Sequence, residues 1–353
     1  MQVLILNSEE VHRLLPMREC IEVMADALSA LARVEAEMPL RTIFRPQDAR
    51  GVMALMPSFR RGDAALFALK AICVFPDNAA IGKDAHQGGV LLFSGQTGEL
   101  LALVNASAIT EIRTAAVSAV ATRALAREDA SELAIIGAGV QARSHLEAMT
   151  CVRSIKRVRV AARTFESAQR FAKEMLAAGN ADASVRTSPT PDTQNPTPII
   201  EPVQSAEAAV RGADLIVTAT TSFEPVVKRE WISPGTHINA VGTYSPKARE
   251  LDTATMAAAT LFVDRRESTL NEAGDYILAA AEGAIGPNYI KAELGEILTG
   301  ARPGRTSVDE ITVFKSLGLA IEDLAAAAHV YEKARTQSLG SWVEFDWAHR
   351  RWR

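Results

Sequence analysis

Residues 133–142, LAIIGAGVQA, decide the fold of this 353-residue chain. The apolar run at the start predicts a buried strand, and two glycines then lead directly into a helix that begins near Val140. Gly137 permits a tight turn, Gly139 lets the backbone approach a phosphate, and the small Ala142 lets helix and strand pack closely. Free N–H groups at the start of the helix attract phosphate oxygens. The stretch therefore predicts a dinucleotide-binding turn, formed by Gly137, Gly139, Val140 and Gln141.

Strand and helix patterns alternate after this turn. Apolar runs recur at 158–161, 215–218, 237–241 and 261–264, with helical segments between them. Such alternation is typical of βαβ units that build a parallel sheet. The chain before the turn differs, because residues 53–105 are β-rich and include a hairpin with a Gly-rich turn. We therefore predict an α/β fold: a Rossmann-type doubly wound parallel sheet with a second, β-rich α+β domain.

Two further segments lie outside this alternation. Residues 187–198 contain four prolines among polar residues, and proline removes backbone donors that helices and strands need. This segment predicts a surface loop. Near the C-terminus, residues 308–338 predict one long helix, capped by Ser307 and apolar on more than one side.

The end of the second strand of a dinucleotide fold indicates which nicotinamide cofactor is bound. An NAD enzyme usually carries Asp or Glu there to accept hydrogen bonds from the ribose 2′-hydroxyl. This chain has Arg163 and Thr164 instead, and Glu166 comes only in the following helix. A guanidinium and a hydroxyl suit a 2′-phosphate. We therefore predict NADP(H) as the cofactor, with NAD(H) as the alternative. Arg163 could instead be a surface charge with no ligand.

Composition excludes several classes of protein. The chain has 38 basic and 42 acidic residues, so it lacks the basic excess that is typical of nucleic-acid binders. Three scattered cysteines and no secretory signal favour a cytoplasmic protein without disulfides. No apolar run approaches the roughly 20 residues that span a bilayer, and the six histidines show no metal-binding spacing. We expect no nucleic acid, no membrane and no metal.

Four motifs, in order along the chain, carry a family resemblance. They are EIRTAA at 111–116, IGAGVQA at 136–142, HINAVG at 237–242 and VFKSLGLAIED at 313–323. With these motifs the chain resembles the ornithine cyclodeaminase/mu-crystallin family. The resemblance implies a homodimer that transfers hydride between a nicotinamide and the α-carbon of an amino or imino acid. It further implies that residues 1–128 with 306–353 form the substrate-binding and dimerisation domain, and that 129–305 form the NAD(P)-binding domain.

A substrate of this class carries a carboxylate that must be held while its α-carbon faces the cofactor. Arg41, Lys70 and Arg113 each stand among apolar or small residues, where a charge is rarely placed without a partner. Arginine suits the carboxylate, and a desolvated lysine has a lowered pKa that suits proton transfer to nitrogen. Taken alone, a cation of this kind is more often a surface charge than a site residue. The resemblance places all three at substrate-binding positions, with Lys70 and Arg113 as the catalytic candidates.

Other positions follow from the resemblance alone. It implies substrate contacts for His86 and Leu317, and it implies cofactor contacts for Thr220, Asn239, Ala240, Val241 and Ser316. Two departures are informative. Gly89 stands where relatives carry a threonine after the histidine, so one hydroxyl contact is expected to be lost. Tyr244 stands where the cyclodeaminases carry an aspartate that transfers protons during the reaction. Like this chain, the ketimine reductases of the family lack that aspartate.

The departure at Tyr244 decides between reaction classes. Without the aspartate, loss of ammonia with ring closure is disfavoured, and reduction of a C=N bond is favoured. The sequence thus predicts an NAD(P)H-dependent reductase of small imino acids such as Δ1-pyrroline-2-carboxylate, or the reverse oxidation of an amino acid. The alternatives are an ornithine or lysine cyclodeaminase and a non-catalytic binder that retains NADPH.

Overall fold

The computed structural model describes residues 2–185 and 198–345. The chain divides into two compact units, Met1–Arg113 with Leu319–Arg353 and Thr114–Gly318, and the first division falls within one helix, α3 (Ala106–Leu125). The loop predicted at 187–198 lies, apart from Pro198, outside the described residues.

The first unit is built on one sheet of eight strands. Its spatial order is β16-β1-β7-β6-β5-β4-β2, with β3 paired to β4. Every pairing is antiparallel except that of β1 with β7. The hairpin expected from the Gly-rich turn is the β6–β7 pair, so the prediction of a β-rich unit is confirmed. The strands are β1 (Gln2–Leu6), β2 (Ala36–Glu37), β3 (Thr42–Phe44), β4 (Val52–Arg60), β5 (Leu66–Val74), β6 (His86–Ser94), β7 (Leu100–Asn105) and β16 (Ser341–Glu344).

Helices cover one face of this sheet. They are α1 (Ser8–Leu14), α2 (Met17–Ala32) and α11 (Ala320–Gln337), and a 3₁₀ helix spans Pro76–Ile81. Helix α11 contacts α2 and strands β4, β5 and β6. Residues alternate along β5, so that Ala68, Lys70 and Ile72 are buried on the covered face. The sequence therefore places a lysine in a row of core positions, where it needs a partner.

The second unit is a wholly parallel sheet of eight strands. Its order is β10-β9-β8-β11-β12-β15-β13-β14. The chain runs outward from β8 to β10 and then returns to the other side of β8, which is the topological switch of doubly wound folds. The predicted fold class is confirmed. The strands are β8 (Glu132–Ile136), β9 (Arg157–Ala161), β10 (Ile199–Pro202), β11 (Leu215–Thr218), β12 (His237–Ala240), β13 (Thr260–Val263), β14 (Ile290–Glu293) and β15 (Thr312–Lys315).

Helices alternate with these strands. They are α4 (Val140–Val152), α5 (Phe165–Val185), α6 (Ala206–Val210), α7 (Thr253–Ala258), α8 (Arg266–Glu272), α9 (Gly274–Ala281) and α10 (Leu294–Leu298), with a 3₁₀ helix at Arg229–Trp231. The central strands are buried throughout, since β11, β12 and β15 expose no residue. Burial on both faces explains their continuous apolar sequence. Across the described ranges, every helix is too short or too polar to serve as a membrane span.

The long helix predicted over 308–338 is wrong in its first part. Residues Thr312–Lys315 form strand β15 inside the parallel sheet, and the helix begins only at Ala320. The apolar residues on several sides, such as Val313 and Phe314, fit a strand that is buried on both faces. Because β15 pairs with β12 and β13, the second unit extends to Gly318, whereas the sequence suggested a boundary at 305/306.

Candidate active site

Two of the three predicted cations meet in the core of the first unit. Lys70 on β5 and Arg113 on α3 are 2% and 4% exposed. Both donate to one oxygen of Asp323 in the first turn of α11: Lys70 Nζ lies 3.0 Å and Arg113 Nε 3.1 Å from Oδ1. Arg113 Nη1 also lies 2.7 Å from Oε2 of the adjacent Glu322. We call these four residues the cation cluster. The start of a helix is a favourable place for its two carboxylates.

The surroundings of Lys70 lower the pKa of its ammonium group. Complete burial is the largest cause, and the positive charges of Arg113 and Arg41 act in the same direction. Asp323 opposes them, and the pKa is lowered from 10.5 to about 8. A lysine with this pKa holds its proton at neutral pH yet releases it more readily than an exposed lysine.

His86 is the first residue of β6. Burial lowers the pKa of its imidazole first, and the charges of Lys70 and Arg113 lower it further. The imidazole is therefore neutral at pH 7. Arg41 lies close enough to Lys70 to lower its pKa, and Lys70 and Arg113 lie close enough to His86 to lower its pKa, so both Arg41 and His86 are near the cation cluster. The structure thus groups four of the five predicted substrate residues in the first unit, and Leu317 belongs to the second.

Position 89 does not share the face of Lys70. Lys70 pairs with Val90, so Gly89 lies on the opposite face of the sheet. A Cβ at this glycine would lie 2.4 Å from Leu103 Cδ1. This atom is the end of a flexible side chain, and the expected loss of a hydroxyl contact to cofactor or substrate at this position stays a prediction.

In the second unit, the predicted glycine turn joins β8 to α4. Gly137 has φ of +123°, and a Cβ there would lie 2.5 Å from the backbone oxygen of Ala219, which follows β11. Gly139 is exposed at the start of α4, caps it without a side chain, and has open space where a Cβ would stand. The α4 helix thus begins, at Val140, with backbone N–H groups that can bind an anion. These features fit a dinucleotide pyrophosphate.

Arg163 and Thr164 follow β9, the neighbouring strand. Both are exposed, and no carboxylate stands between β9 and α5. The Thr164 hydroxyl accepts a hydrogen bond from the Ser167 N–H at 3.3 Å and lies 3.0 Å from the Ser167 hydroxyl, so Thr164 caps the start of α5. Among the residues that the structure describes, none forms an ion pair with Arg163. Its guanidinium is therefore available to a ligand at this edge.

The remaining predicted cofactor residues lie at the carboxyl ends of the next strands. Thr220 follows β11, and Ser316 follows β15. The Ser316 hydroxyl is buried and has no hydrogen-bond partner among the described residues, which fits a ligand contact. Asn239, Ala240 and Val241 are at the end of β12, but the Asn239 side chain is buried and donates to Thr122 Oγ1 at 2.9 Å.

Glu250, which the sequence did not single out, ties two of these strand ends together. Its Oε1 accepts from the Thr220 N–H at 2.7 Å and from the Thr220 hydroxyl at 2.8 Å. Its Oε2 accepts from the Gly242 N–H at 2.7 Å and the Thr218 hydroxyl at 3.0 Å. Burial raises the pKa of Glu250, while Lys315 opposes that shift. The carboxyl group holds the loops after β11 and β12 at a fixed separation.

The segment that contains Tyr244 is held by a buried acid, since the Thr243 hydroxyl donates to Asp275 Oδ2 at 3.3 Å. Tyr244 itself is exposed. Asp275 is nearly fully buried, accepts from the N–H groups of Glu250 and Leu251, and pairs with Lys315 Nζ at 2.9 Å. Lys315 also donates to the Thr243 carbonyl at 2.8 Å. The nearby acids thus serve to hold this loop.

Metal ligands are not grouped in the described residues. No set of three His, Cys, Asp or Glu side chains among residues 2–185 and 198–345 could hold an ion. His145, from the single HxE sequence, is buried with Nδ1 2.7 Å from the Gln141 carbonyl and Nε2 2.9 Å from the Ser118 hydroxyl. Burial lowers the pKa of His145 to about 4, so it is a neutral core residue.

Sequence reasoning identified the cations of the first unit but not their acidic partners. Glu322 and Asp323 stand in the apolar segment LAIEDLAAAA, at 319–328, and are 0% and 1% exposed. The criterion that selected Lys70, a charge among apolar residues, would have found them. Asp275, within GDYILAAA at 274–281, carries the same signal.

Comparisons with known proteins agree with this geometry. The model of the ornithine cyclodeaminase/mu-crystallin family matches residues 1–338. The Δ1-pyrroline-2-carboxylate reductase of Bacillus cereus is 38% identical over 344 residues, which cover 97% of this chain and 100% of that protein.

Two solved structures extend the comparison. Thermococcus litoralis Δ1-pyrroline-2-carboxylate reductase, in complex with NADH and L-proline, is 40% identical with a TM-score of 0.88, over 96% of this chain and 99% of that one. An archaeal alanine dehydrogenase dimer with bound NAD is 34% identical with a TM-score of 0.87, and the match covers 98% of this chain and 100% of that one. The predicted resemblance is confirmed, and the chain belongs to the ornithine cyclodeaminase/mu-crystallin family.

Proposed function

We propose that this protein is an NAD(P)H-dependent oxidoreductase that reduces the C=N bond of small imino acids of the Δ1-pyrroline-2-carboxylate type. The observation that carries the proposal is the cation cluster, in which Lys70 and Arg113 are buried beside one carboxylate. The relatives with reductase activity, and the glycine turn of the second unit, support it. L-proline, bound in the Thermococcus litoralis enzyme, is the compound that forms when Δ1-pyrroline-2-carboxylate is reduced.

In this reaction, a bound reduced nicotinamide supplies a hydride to the imine carbon. Arg113 and Arg41 hold the substrate carboxylate, for which a guanidinium offers two parallel donors. Lys70 supplies the proton that the nitrogen gains, since its lowered pKa favours release. His86, neutral and close to both charges, and Leu317 complete the substrate contacts. The reverse reaction, oxidation of an α-amino acid, uses the same groups with Lys70 as the proton acceptor.

The cofactor is held at the carboxyl ends of the parallel strands. The pyrophosphate binds at the start of α4, at the N–H groups of Gly139 and Val140 and next to Gln141, because no side chain caps this helix. We propose a preference for NADP(H), supported by the exposed Arg163 and the missing carboxylate after β9. The structural relatives were solved with NADH or NAD, so this preference needs its own measurement. The other proposed cofactor contacts are Gly137, Thr164, Thr220, Asn239, Ala240, Val241 and Ser316.

Loss of absorbance of the reduced cofactor tests the activity. The protein is incubated with NADPH or NADH and Δ1-pyrroline-2-carboxylate or Δ1-piperideine-2-carboxylate. Consumption of reduced cofactor is expected, and Lys70→Ala should lose turnover yet bind cofactor as the wild type does. Ammonia released from ornithine without net cofactor consumption would identify a cyclodeaminase instead. Tight cofactor binding with neither reaction would identify a non-catalytic binder.

We also propose a homodimer, formed through the uncovered face of the first sheet. Ile5, Leu103 and Phe67 are 37–48% exposed on the face opposite Lys70. Exposed apolar side chains on one face of a sheet are typical of an interaction surface. The related alanine dehydrogenase was solved as a dimer. Light scattering should give twice the chain mass of 37.9 kDa, and Phe67→Glu should shift the value towards one chain.

A further inference from the structure

Asp323, in the cation cluster, has one oxygen with no hydrogen-bond partner among the residues that the structure describes. Asp323 is 1% exposed, and its Oδ1 receives both the Lys70 and the Arg113 hydrogen bonds, at 3.0 and 3.1 Å. Its Oδ2 is buried and receives no hydrogen bond from any residue in the described part of the chain. A buried carboxylate oxygen normally has a donor, because leaving it unpaired costs free energy. The arrangement therefore indicates a donor that a ligand brings.

We propose that Asp323 Oδ2 accepts a hydrogen bond from the nitrogen of the substrate: the iminium N–H before reduction and the ammonium N–H after it. This inference rests on the proposed function and names the group that selects a nitrogen substrate. Asp323 thereby acts as a substrate-binding residue as well as the partner of the two cations.

The charges of the cluster agree with this assignment. Lys70 and Arg113 carry two positive charges, and Glu322 and Asp323 carry two negative charges, so the four residues are balanced. Arg41 adds a positive charge close enough to lower the pKa of Lys70. A protonated imino acid brings one carboxylate, for the arginines, and one cationic N–H, for Asp323. A 2-oxo acid brings only the carboxylate and leaves Oδ2 unpaired.

The consequence is discrimination between C=N and C=O substrates of the same shape. A site whose buried acceptor is satisfied by one ligand rejects the analogue that lacks the donor. A hydrogen bond to a charged group corresponds to a difference of about 10-fold or more in affinity.

The first test uses the wild-type protein with its reduced cofactor bound, so that L-proline binds as the product and cannot react. Calorimetry gives dissociation constants for L-proline and for tetrahydrofuran-2-carboxylate, which has the same ring and carboxylate with oxygen in place of N–H. L-proline should bind about 10-fold more tightly or better. Equal affinities, including no measurable binding of either compound, would overturn the proposal.

The second test compares two variants that each remove one negative charge from the cluster. Asp323→Asn should reduce the preference for L-proline to about twofold or less, whereas Glu322→Gln should keep the wild-type preference. If both variants lose the preference for L-proline equally, the net charge of the cluster sets that preference and contact with Oδ2 does not, so the proposal is wrong. If Asp323→Asn does not fold, as judged by circular dichroism, the wild-type ratio decides alone.

These measurements are independent of turnover. A protein that consumes no reduced cofactor with any imine would refute the proposed function, whatever the binding ratio. A protein that reduces imines but binds the two ring compounds equally would keep the proposed function and lose the role of Asp323.

Discussion

Reductive turnover should fall as pH rises through about 8, because the proton for the substrate nitrogen comes from Lys70. Burial and the neighbouring arginines lower the pKa of this lysine from 10.5 to about 8. The protonated fraction is then about nine-tenths at pH 7 and about one-tenth at pH 9. An exposed lysine would still be almost fully protonated at pH 9. We therefore expect kcat/KM for imine reduction to fall roughly tenfold between these pH values.

The assay is kcat/KM against pH, since this constant reports groups of the free enzyme. In Lys70→Arg, whose side chain stays protonated up to about pH 12, the remaining activity should show no fall near pH 8. The exposed Lys173 provides the control, because Lys173→Met should keep the wild-type profile. A wild-type profile that is flat to about pH 10, or a Lys70→Arg profile that still falls near pH 8, would refute the role of Lys70.

Three further predictions concern the second unit. Arg163→Ala should weaken NADPH binding by about 10-fold or more and NADH binding hardly at all, as cofactor fluorescence would show; equal losses would contradict the NADP(H) assignment. Gly137→Ala should lower the free energy of unfolding by about 1–3 kcal/mol and abolish cofactor binding, since the new Cβ would meet the Ala219 carbonyl. An unchanged melting temperature would contradict this prediction. Glu250→Gln should lower the free energy of unfolding by about 1–3 kcal/mol, because the amide N–H₂ of glutamine would face backbone N–H donors. Glu224→Gln, at an exposed position, is the control and should keep the melting temperature of the wild type.

The fold of the second unit could be predicted around the glycine turn because the signals there are local. A strand, two glycines and a helix start follow one another within ten residues, and each has a conformational reason that needs no distant neighbour. The same is true of Arg163, whose position after β9 depends only on counting one βα unit further. Local patterns were therefore enough to predict the turn and the strand end at which we propose that the cofactor binds.

The segment before α11 shows where local patterns fail. Apolar residues at 311–319 fit a buried helix and a buried strand equally well, and the choice depends on pairing. Strand β15 inserts between β12 and β13, which precede it by many residues in the chain. Only hydrogen bonds to those strands decide its conformation, and no short window of sequence contains them.

The amino-acid sequence by itself determined the dinucleotide turn, the parallel sheet around it and the presence of isolated cations in apolar surroundings. Tertiary structure decided which acids pair with those cations. Asp323 lies 253 residues from Lys70 and 210 from Arg113, yet both bind the same oxygen. A buried charge requires a partner, but the sequence does not say which one, because the partner is chosen by how α3, β5 and α11 pack together.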